Sequence, residues 1–123
     1  MAVAVVDASA LAAILFGEPE AGGVVHQLAS KALIAPQLLD FELANACLVK
    51  SRRAPEKKEV LFAAFRLRQR LAIEKRAVDH DGVLEVPLQT GLTAYDAAYL
   101  WLARQFGAEL VTLDRKLAKA AAE

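Results

Sequence analysis

Four acidic residues that lie far apart in the sequence are the positions of this chain best suited to chemistry. Each follows an apolar, strand-like run or falls in the first turns of the helix-like run after it: Asp7, Glu42, Asp96 and Asp114. In an open parallel α/β sheet, such positions converge outside the carboxyl ends of the strands. Carboxylates gathered in one crevice repel each other unless a cation lies among them, and Mg²⁺ and Mn²⁺ prefer oxygen ligands. The pattern therefore predicts a divalent-metal site suited to phosphodiester chemistry.

Each of these acids also has a purely structural interpretation. Asp7 and Asp114 are placed to cap the helices that follow them. Asp96 and Glu42 lie where a helix macrodipole favours negative charge. For any one acid taken alone, this structural interpretation is favoured. Their conjunction favours the metal site, because capping does not require four acids to meet at one edge of a sheet.

Three polar residues near the acids are candidates for supporting roles. Ser9 lies two residues after Asp7, where its hydroxyl can bind a substrate phosphate or a metal-bound water, or can cap a helix. Thr112 precedes Asp114 by two residues and has a similar interpretation. Asn45, about one turn after Glu42, is placed to orient that carboxylate.

Length and composition indicate one domain over residues 1–123, with enough apolar residues (56%) for a substantial core. No apolar run reaches the roughly eighteen residues that a membrane span needs. The first twenty residues have no basic start and contain Asp7 and Glu18, so they predict a strand and a helix rather than a signal peptide. The single cysteine, Cys47, excludes an internal disulfide and a multi-cysteine zinc site within one chain. We expect a cytoplasmic protein.

The charge is neutral in total, with 15 acidic and 15 basic residues, but it is unevenly distributed. Most of the basic residues lie between residues 50 and 76, where few acids oppose them. A basic flank beside an acidic crevice suits contact with a nucleic-acid backbone. We therefore name Arg52 and Arg53, with Arg115, as candidate RNA contacts. A solvated helix face explains any one of these residues equally well.

The apolar patterning predicts alternating strands and helices. Predicted strands are Val3–Val6, Ala32–Ala35, Ile73–Val78 and Glu109–Leu113. Predicted helices are residues 9–16, 19–30, 38–53, a long helix over 55–71, residues 94–106 between Thr93 as N-cap and Gly107, and residues 115–123. This order predicts a parallel, doubly wound sheet with right-handed connections.

The segment from His80 to Thr90 has two competing interpretations. The composition of VLEVPL is typical of a strand, although Pro87 argues against a central one. A short helix is the alternative, and its main difficulty is the same proline near its middle.

Four segments in order, VVDASALAAILFGEPEA, FELANA, TAYDAAYLWLA and ELVTLDRKL, closely resemble the PIN-domain family. Within that family, the nearest similarity is to VapC-type toxins of bacterial and archaeal toxin–antitoxin pairs. The resemblance covers essentially the whole chain and implies a single PIN-like domain over 1–123. It implies a three-layer α/β/α sandwich with a parallel sheet of four to five strands. It also implies an endoribonuclease that depends on Mg²⁺ or Mn²⁺ and acts on tRNA or another structured RNA, a VapB-type antitoxin and a homodimer.

By position, the resemblance places Asp7, Glu42, Asp96 and Asp114 on the family's acidic quartet, and Ser9 on its small hydroxyl position. It implies that Asp7, Asp96 and Asp114 hold the metal, with Glu42 completing its shell or positioning the nucleophile. It also favours the helix for residues 80–90. The chain ends in KLAKAAAE, where many relatives continue into an edge strand, so the fifth strand is left open.

Two other classes of function are alternatives. A receiver-type phosphoacceptor domain fits the length and the acids at strand ends, but it needs adjacent acids after the first strand, and Ala8 follows Asp7 here. A non-catalytic PIN scaffold that binds RNA or protein is the other alternative.

An apolar stripe over residues 61–71 is a further prediction from the sequence. Its members are Leu61, Phe62, Phe65 and Leu71. We expect it to serve a homodimer or an antitoxin contact, or to pack between the two mid-chain helices.

Overall fold

A computed structural model describes the backbone of residues 1–123 and every side chain except those of Pro87 and Gln89. Four parallel strands form its sheet, in the order β3-β2-β1-β4. The strands are Val3–Val6 (β1), Ala32–Pro36 (β2), Ile73–Arg76 (β3) and Glu109–Val111 (β4). The central strand β1 is an apolar run whose Ala4, Val5 and Val6 are fully buried, as expected for a parallel strand covered on both faces.

Eight helices connect and follow the strands. They are Ala8–Leu15 (α1), Ala21–Leu28 (α2), Leu39–Arg53 (α3), Lys58–Arg66 (α4), His80–Glu85 (α5), Pro87–Thr90 (α6), Ala94–Phe106 (α7) and Arg115–Ala122 (α8). Short 3₁₀ turns, Pro55–Lys57 and Leu67–Arg70, flank α4. In the part of the chain that the structure describes, no helix has the length and apolar character needed to cross a membrane.

The strand order places helices on both faces of the sheet. The chain steps from β1 to β2 to β3 in one direction and then returns past β1 to β4. With right-handed connections, α1 to α4 cover one face and α5 to α7 the other. Accordingly, α7 packs on β1 and β2, while α1 packs on α2 and α3. The predicted parallel α/β architecture is confirmed, with four strands.

The segment after β3 forms two short helices, so the strand predicted from the composition of VLEVPL is wrong. Val83 and Val86 are buried three residues apart, which is a helical spacing. Pro87 is the first residue of α6, a position where a missing backbone N–H costs no hydrogen bond. The proline therefore divides the segment into two helices instead of interrupting one.

Several predicted boundaries are corrected by the pairing partners of each element. Strand β3 ends at Arg76 rather than Val78, because its partner β2 ends opposite it at Pro36. Strand β4 ends at Val111 rather than Leu113, because its partner β1 ends at Val6. The long helix predicted over 55–71 is divided into α4 and its two 3₁₀ turns.

Candidate active site

Asp7 is the most tightly held of the predicted site residues. It follows β1 and caps α1 with an extended backbone, because its Oδ1 accepts a hydrogen bond from the backbone N–H of Ala10 at 3.0 Å. The Ser9 hydroxyl also donates to Oδ1, at 2.7 Å, and the Thr112 hydroxyl donates to Oδ2, at 2.6 Å. Since each carboxylate oxygen has about two acceptor positions, Oδ1 is saturated and Oδ2 keeps one free.

Ser9 and Thr112 join two loops that are distant in sequence. The Ser9 hydroxyl accepts from the backbone N–H of Leu113 at 2.9 Å, and the Thr112 hydroxyl accepts from that of Asp114 at 3.0 Å. The turn after β4 is therefore tied to the start of α1. The structure places both predicted supporting residues against Asp7.

Asp114 caps the last helix while leaving one oxygen available. Its Oδ1 accepts from the backbone N–H of Leu117 at 3.0 Å at the start of α8. No hydrogen bond to its Oδ2 is found among the side chains that the structure describes. Both strand-end acids are thus helix caps, as their structural interpretation predicts, but capping uses only part of each carboxylate. Capping and cation binding are compatible at these positions.

Glu42 is oriented by a residue that the sequence analysis missed. Its Oε1 accepts a 2.6 Å hydrogen bond from the hydroxyl of Tyr99, which is 1% exposed on α7. Asn45, predicted to orient Glu42, is exposed and makes no hydrogen bond to it in the described part of the chain. Asn45 instead lines a cavity of about 550 Å³ whose wall includes Glu42 and Phe41. The available signal for Tyr99 was its position three residues after Asp96, on the same helix face.

The electrostatics couple all four acids. Burial raises the pKa of Asp7, and the charge of Asp114 raises it further, against the hydrogen bonds from Thr112, Ala10 and Ser9. Burial also raises the pKa of Glu42 and of Asp96. The charges of Asp96 and Asp7 raise the pKa of Glu42 further. The charges of Asp114 and Asp7 raise the pKa of Asp96 further. The four acids therefore lie close enough for these charges to act on one another, and their role as a metal site stays a prediction.

The predicted basic contacts are placed less uniformly. Arg115 is exposed and directly follows Asp114. Arg52 and Arg53 are exposed at the far end of α3, roughly 15 Å along the helix axis from Glu42. The structure does not bring these two to the carboxylates. Lys116, which the sequence analysis overlooked, lowers the pKa of Asp96 by its charge and donates to the backbone oxygen of Gly91 at 2.8 Å.

The carboxylates fit a hard divalent cation by their chemistry. In the described part of the chain, no three His, Cys, Asp or Glu side chains already form a coordination cluster. Asp7, Glu42 and Asp114 nevertheless each keep an acceptor position free of protein hydrogen bonds, and all are oxygen donors. A cation among them would offset the repulsion between these neighbouring carboxylates.

A parallel α/β sheet with coupled acids at its carboxyl edge is the class of structure that the sequence resemblance implies. The PIN domain family model matches residues 4–123, and the chain belongs to the PIN domain family. The strand order β3-β2-β1-β4 also differs from the 2-1-3-4-5 order of receiver domains, which argues against that alternative.

Within the family, the chain is similar to ribonuclease VapC3 of Pyrobaculum aerophilum. The two are 34% identical over 121 residues, which cover 94% of this chain and 92% of that protein. The crystal structure of PAE2754 from Pyrobaculum aerophilum matches with a TM-score of 0.76 and 28% identity, over 97% of this chain and 79% of that chain. The resemblance to VapC-type proteins and the PIN-like fold are thereby confirmed.

A third similarity concerns the fold alone. Mycobacterium tuberculosis VapC20, described as a sarcin-ricin loop cleaving toxin, matches with a TM-score of 0.67 at 19% identity. The match covers 95% of this chain and 94% of that chain.

Proposed function

We propose that this protein is a VapC-type toxin, an endoribonuclease that hydrolyses RNA phosphodiester bonds with Mg²⁺ or Mn²⁺. One observation carries the proposal: acids from four separate parts of the chain meet at the carboxyl edge of the sheet, where burial first and neighbouring acidic charges second raise the pKa of Asp7, Glu42 and Asp96. Membership of the PIN family and the 34% identity to ribonuclease VapC3 support it. The proposal places the protein in the cytoplasm, with its RNA substrate.

The four acids divide the work of the site in this proposal. Asp7, Asp96 and Asp114 hold the cation, and Asp7 does so through its free Oδ2 position. Glu42 completes the shell or positions the nucleophilic water. When bound, Mg²⁺ or Mn²⁺ supplies a water of lowered pKa and offsets charge on the phosphoryl group. Ser9 and Thr112 hold Asp7 in place, so the site does not have to reorganise when substrate arrives.

The RNA backbone needs positive charge close to the acidic crevice. The proposal assigns phosphate contacts to Arg115 and Lys116, which directly follow Asp114 at the start of α8. The charge of Lys116 acts on Asp96. Arg52 and Arg53 contact more distant phosphates, if the RNA runs along α3. The substrate class is a structured RNA, with tRNA among the candidates. In-line attack leaves a 5′-phosphate and a 3′-hydroxyl, and affinity falls as salt rises.

We place the contact with a VapB-type antitoxin in a groove between α1, α3 and α4. The groove has a volume of about 580 Å³, and its lining includes the apolar Phe16, Val60 and Leu61 and the basic Lys50 and Arg53. An apolar segment flanked by acids would complement both features. Of the predicted apolar stripe, only Leu61 lines this groove, while Phe65 and Leu71 pack against the core.

The homodimer is assigned to a second surface, near the acidic crevice. Phe41, Leu84 and Tyr95 are 83%, 62% and 67% exposed, respectively. Two adjoining cavities that share Leu38 and Tyr95 connect these side chains. Large apolar side chains grouped at a surface are typical of a protein interface. We expect Phe41→Asp to convert the dimer to a monomer in light scattering, whereas a monomeric parent at tens of micromolar would count against this assignment.

The proposed nuclease activity is tested by sequencing the new 5′ ends in RNA treated with the protein. Purified, antitoxin-free protein is incubated with total cellular RNA and Mg²⁺, beside an Asp96→Asn variant, and new 5′ ends are sequenced. We expect discrete cuts that carry 5′-phosphates and that are absent with the variant. A folded parent that leaves RNA intact would favour the non-catalytic scaffold. Equal cutting by the variant would remove Asp96 from the site.

A further inference from the structure

We propose that Tyr99 is a positioning residue, which aims the Glu42 carboxylate into the cation site. The inference rests on the proposed function, because it assigns Glu42 a ligand or water-orienting role. It adds a residue that lies outside the acidic quartet and its two hydroxyl neighbours. Tyr99 touches no substrate in this account and acts only through Glu42.

The geometry ties two helices together at the site. Tyr99 lies on α7, three residues after Asp96, and Glu42 lies in the first turns of α3. Their 2.6 Å hydrogen bond therefore joins residues 57 positions apart. The tyrosine ring is 1% exposed, so packing fixes the direction from which its hydroxyl approaches. A fixed donor on Oε1 restricts the rotation of Glu42 and reserves Oε2 for a cation or water.

The chemistry of the pair makes Tyr99 a permanent donor. A tyrosine hydroxyl ordinarily has a pKa of about 10, so the Tyr99 hydroxyl is protonated at physiological pH and donates to Glu42. The same hydrogen bond opposes the effect of burial on Glu42 and favours the ionised carboxylate. A phenylalanine at this position would keep the ring but leave a half-buried carboxylate without its donor.

A double-mutant cycle on Mn²⁺ affinity tests this role without relying on catalysis. Binding is measured by electron paramagnetic resonance and calorimetry for the parent, Tyr99→Phe, Glu42→Ala and the double variant. We expect Tyr99→Phe to weaken Mn²⁺ binding by about 10- to 100-fold, the usual effect of losing a partner behind a metal ligand. In the Glu42→Ala background, which has no acceptor for the Tyr99 hydroxyl, the same change should alter the Mn²⁺ affinity by less than about twofold.

A matched control removes another buried hydroxyl from the same helix as Glu42. Ser51 is 9% exposed on α3 and donates to the backbone oxygen of Cys47 at 2.8 Å. It lies nine residues beyond Glu42, roughly 14 Å along the axis. We expect Ser51→Ala to keep the parent's Mn²⁺ affinity.

The outcomes separate the two proposals. Equal Mn²⁺ affinity of the parent and Tyr99→Phe overturns the role of Tyr99 and leaves the nuclease standing. An undiminished loss of Mn²⁺ affinity in the Glu42→Ala background also overturns it, since Tyr99 would then act by general packing. A folded parent that binds no Mn²⁺ overturns both proposals.

A spectroscopic measurement on the unaltered chain covers the case in which Tyr99→Phe does not fold. The protein has two tyrosines, Tyr95 and Tyr99, so ¹³C labelling at the ring Cζ gives two signals, which Tyr95→Phe assigns. We expect Mg²⁺ to shift the Tyr99 signal, because coordination withdraws charge from the carboxylate that accepts its hydrogen bond. A Tyr99 signal that does not respond to saturating Mg²⁺ overturns the inference.

Discussion

At the level of single residues, the hydrogen bonds to Asp7 explain how a carboxylate that is 5% exposed stays in place. Its three donors come from the start of α1 and from the turn after β4. An ionised group with several donors is far cheaper to bury than one without them. Asp7 was found from the sequence because it ends an apolar strand. Tyr99 was not, because its partner Glu42 is 57 positions away and only the fold brings them together.

Asp96 is the acid whose neutralisation should cost the fold least. It is not a helix cap acceptor, and in α7 that role belongs to the Thr93 hydroxyl, which accepts from the backbone N–H of Asp96. Asp96→Asn removes repulsion from Asp7 and Asp114. We expect a higher melting temperature than that of the parent in metal-free buffer, measured by calorimetry, together with loss of cleavage. A clear fall in melting temperature would show that Asp96 is held by favourable contacts instead.

At the level of elements, two substitutions of Asp114 distinguish its role as a helix cap from its role in metal binding. Asp114→Asn keeps a capping side chain, whereas Asp114→Ala removes the cap of α8 and should be about 1 kcal/mol less stable than the Asn variant in urea unfolding. Both variants relieve the same repulsion with Asp7 and Asp96, so the difference between them reports the cap alone. Both should lose Mn²⁺ affinity, because both lack the charge. Equal free energies of unfolding for the Ala and Asn variants would contradict the capping role. Mn²⁺ affinity equal to that of the parent in either variant would contradict the metal role.

The packing of α5 on α7 depends on a glycine. A Cβ at Gly82 would lie 2.5 Å from the indole nitrogen of Trp101. We expect Gly82→Ala to destabilise the fold by about 1–3 kcal/mol, as overpacking does. Gly22 is the control: it lies in α2 with nothing within 4 Å of its added Cβ. Gly22→Ala should stabilise by about 0.5–1 kcal/mol. Similar effects of both changes on urea unfolding would contradict this account of the α5–α7 contact.

The elements that could be predicted from the sequence are those whose signal is local. The buried run of β1, the Thr93 cap and the left-handed Gly107 at the end of α7 all follow from neighbouring residues. Boundaries that depend on a distant partner were missed, such as the end of β3, which is set by Pro36 of β2.

For the whole molecule, the acidic crevice makes stability depend on pH and on cations. Burial raises the pKa of Asp7, Glu42 and Asp96 above their ordinary values of 3.8, 4.5 and 3.8. The folded state therefore holds these protons more tightly than the unfolded state does. This contribution to stability is complete below about pH 4 and is lost as the pH rises through the folded pKa values.

The prediction concerns the difference in melting temperature between the parent and Asp96→Asn. The contributions of unrelated acids are the same in both proteins and cancel in this difference. In metal-free buffer, the advantage of the variant in melting temperature should grow between about pH 4 and pH 7. At pH 7, Mg²⁺ should raise the melting temperature of the parent more than that of the variant. A difference that is independent of both pH and Mg²⁺ would show that the acids do not act as one site.

The most direct test of the central claim is the rate of RNA cleavage as a function of Mg²⁺ concentration, measured with purified, antitoxin-free protein on the RNA that it cuts. The account predicts no cleavage in chelator, a rate that rises to saturation with Mg²⁺, and no response from Asp96→Asn at any concentration. Cleavage that proceeds equally well in chelator, or in the variant, would contradict it.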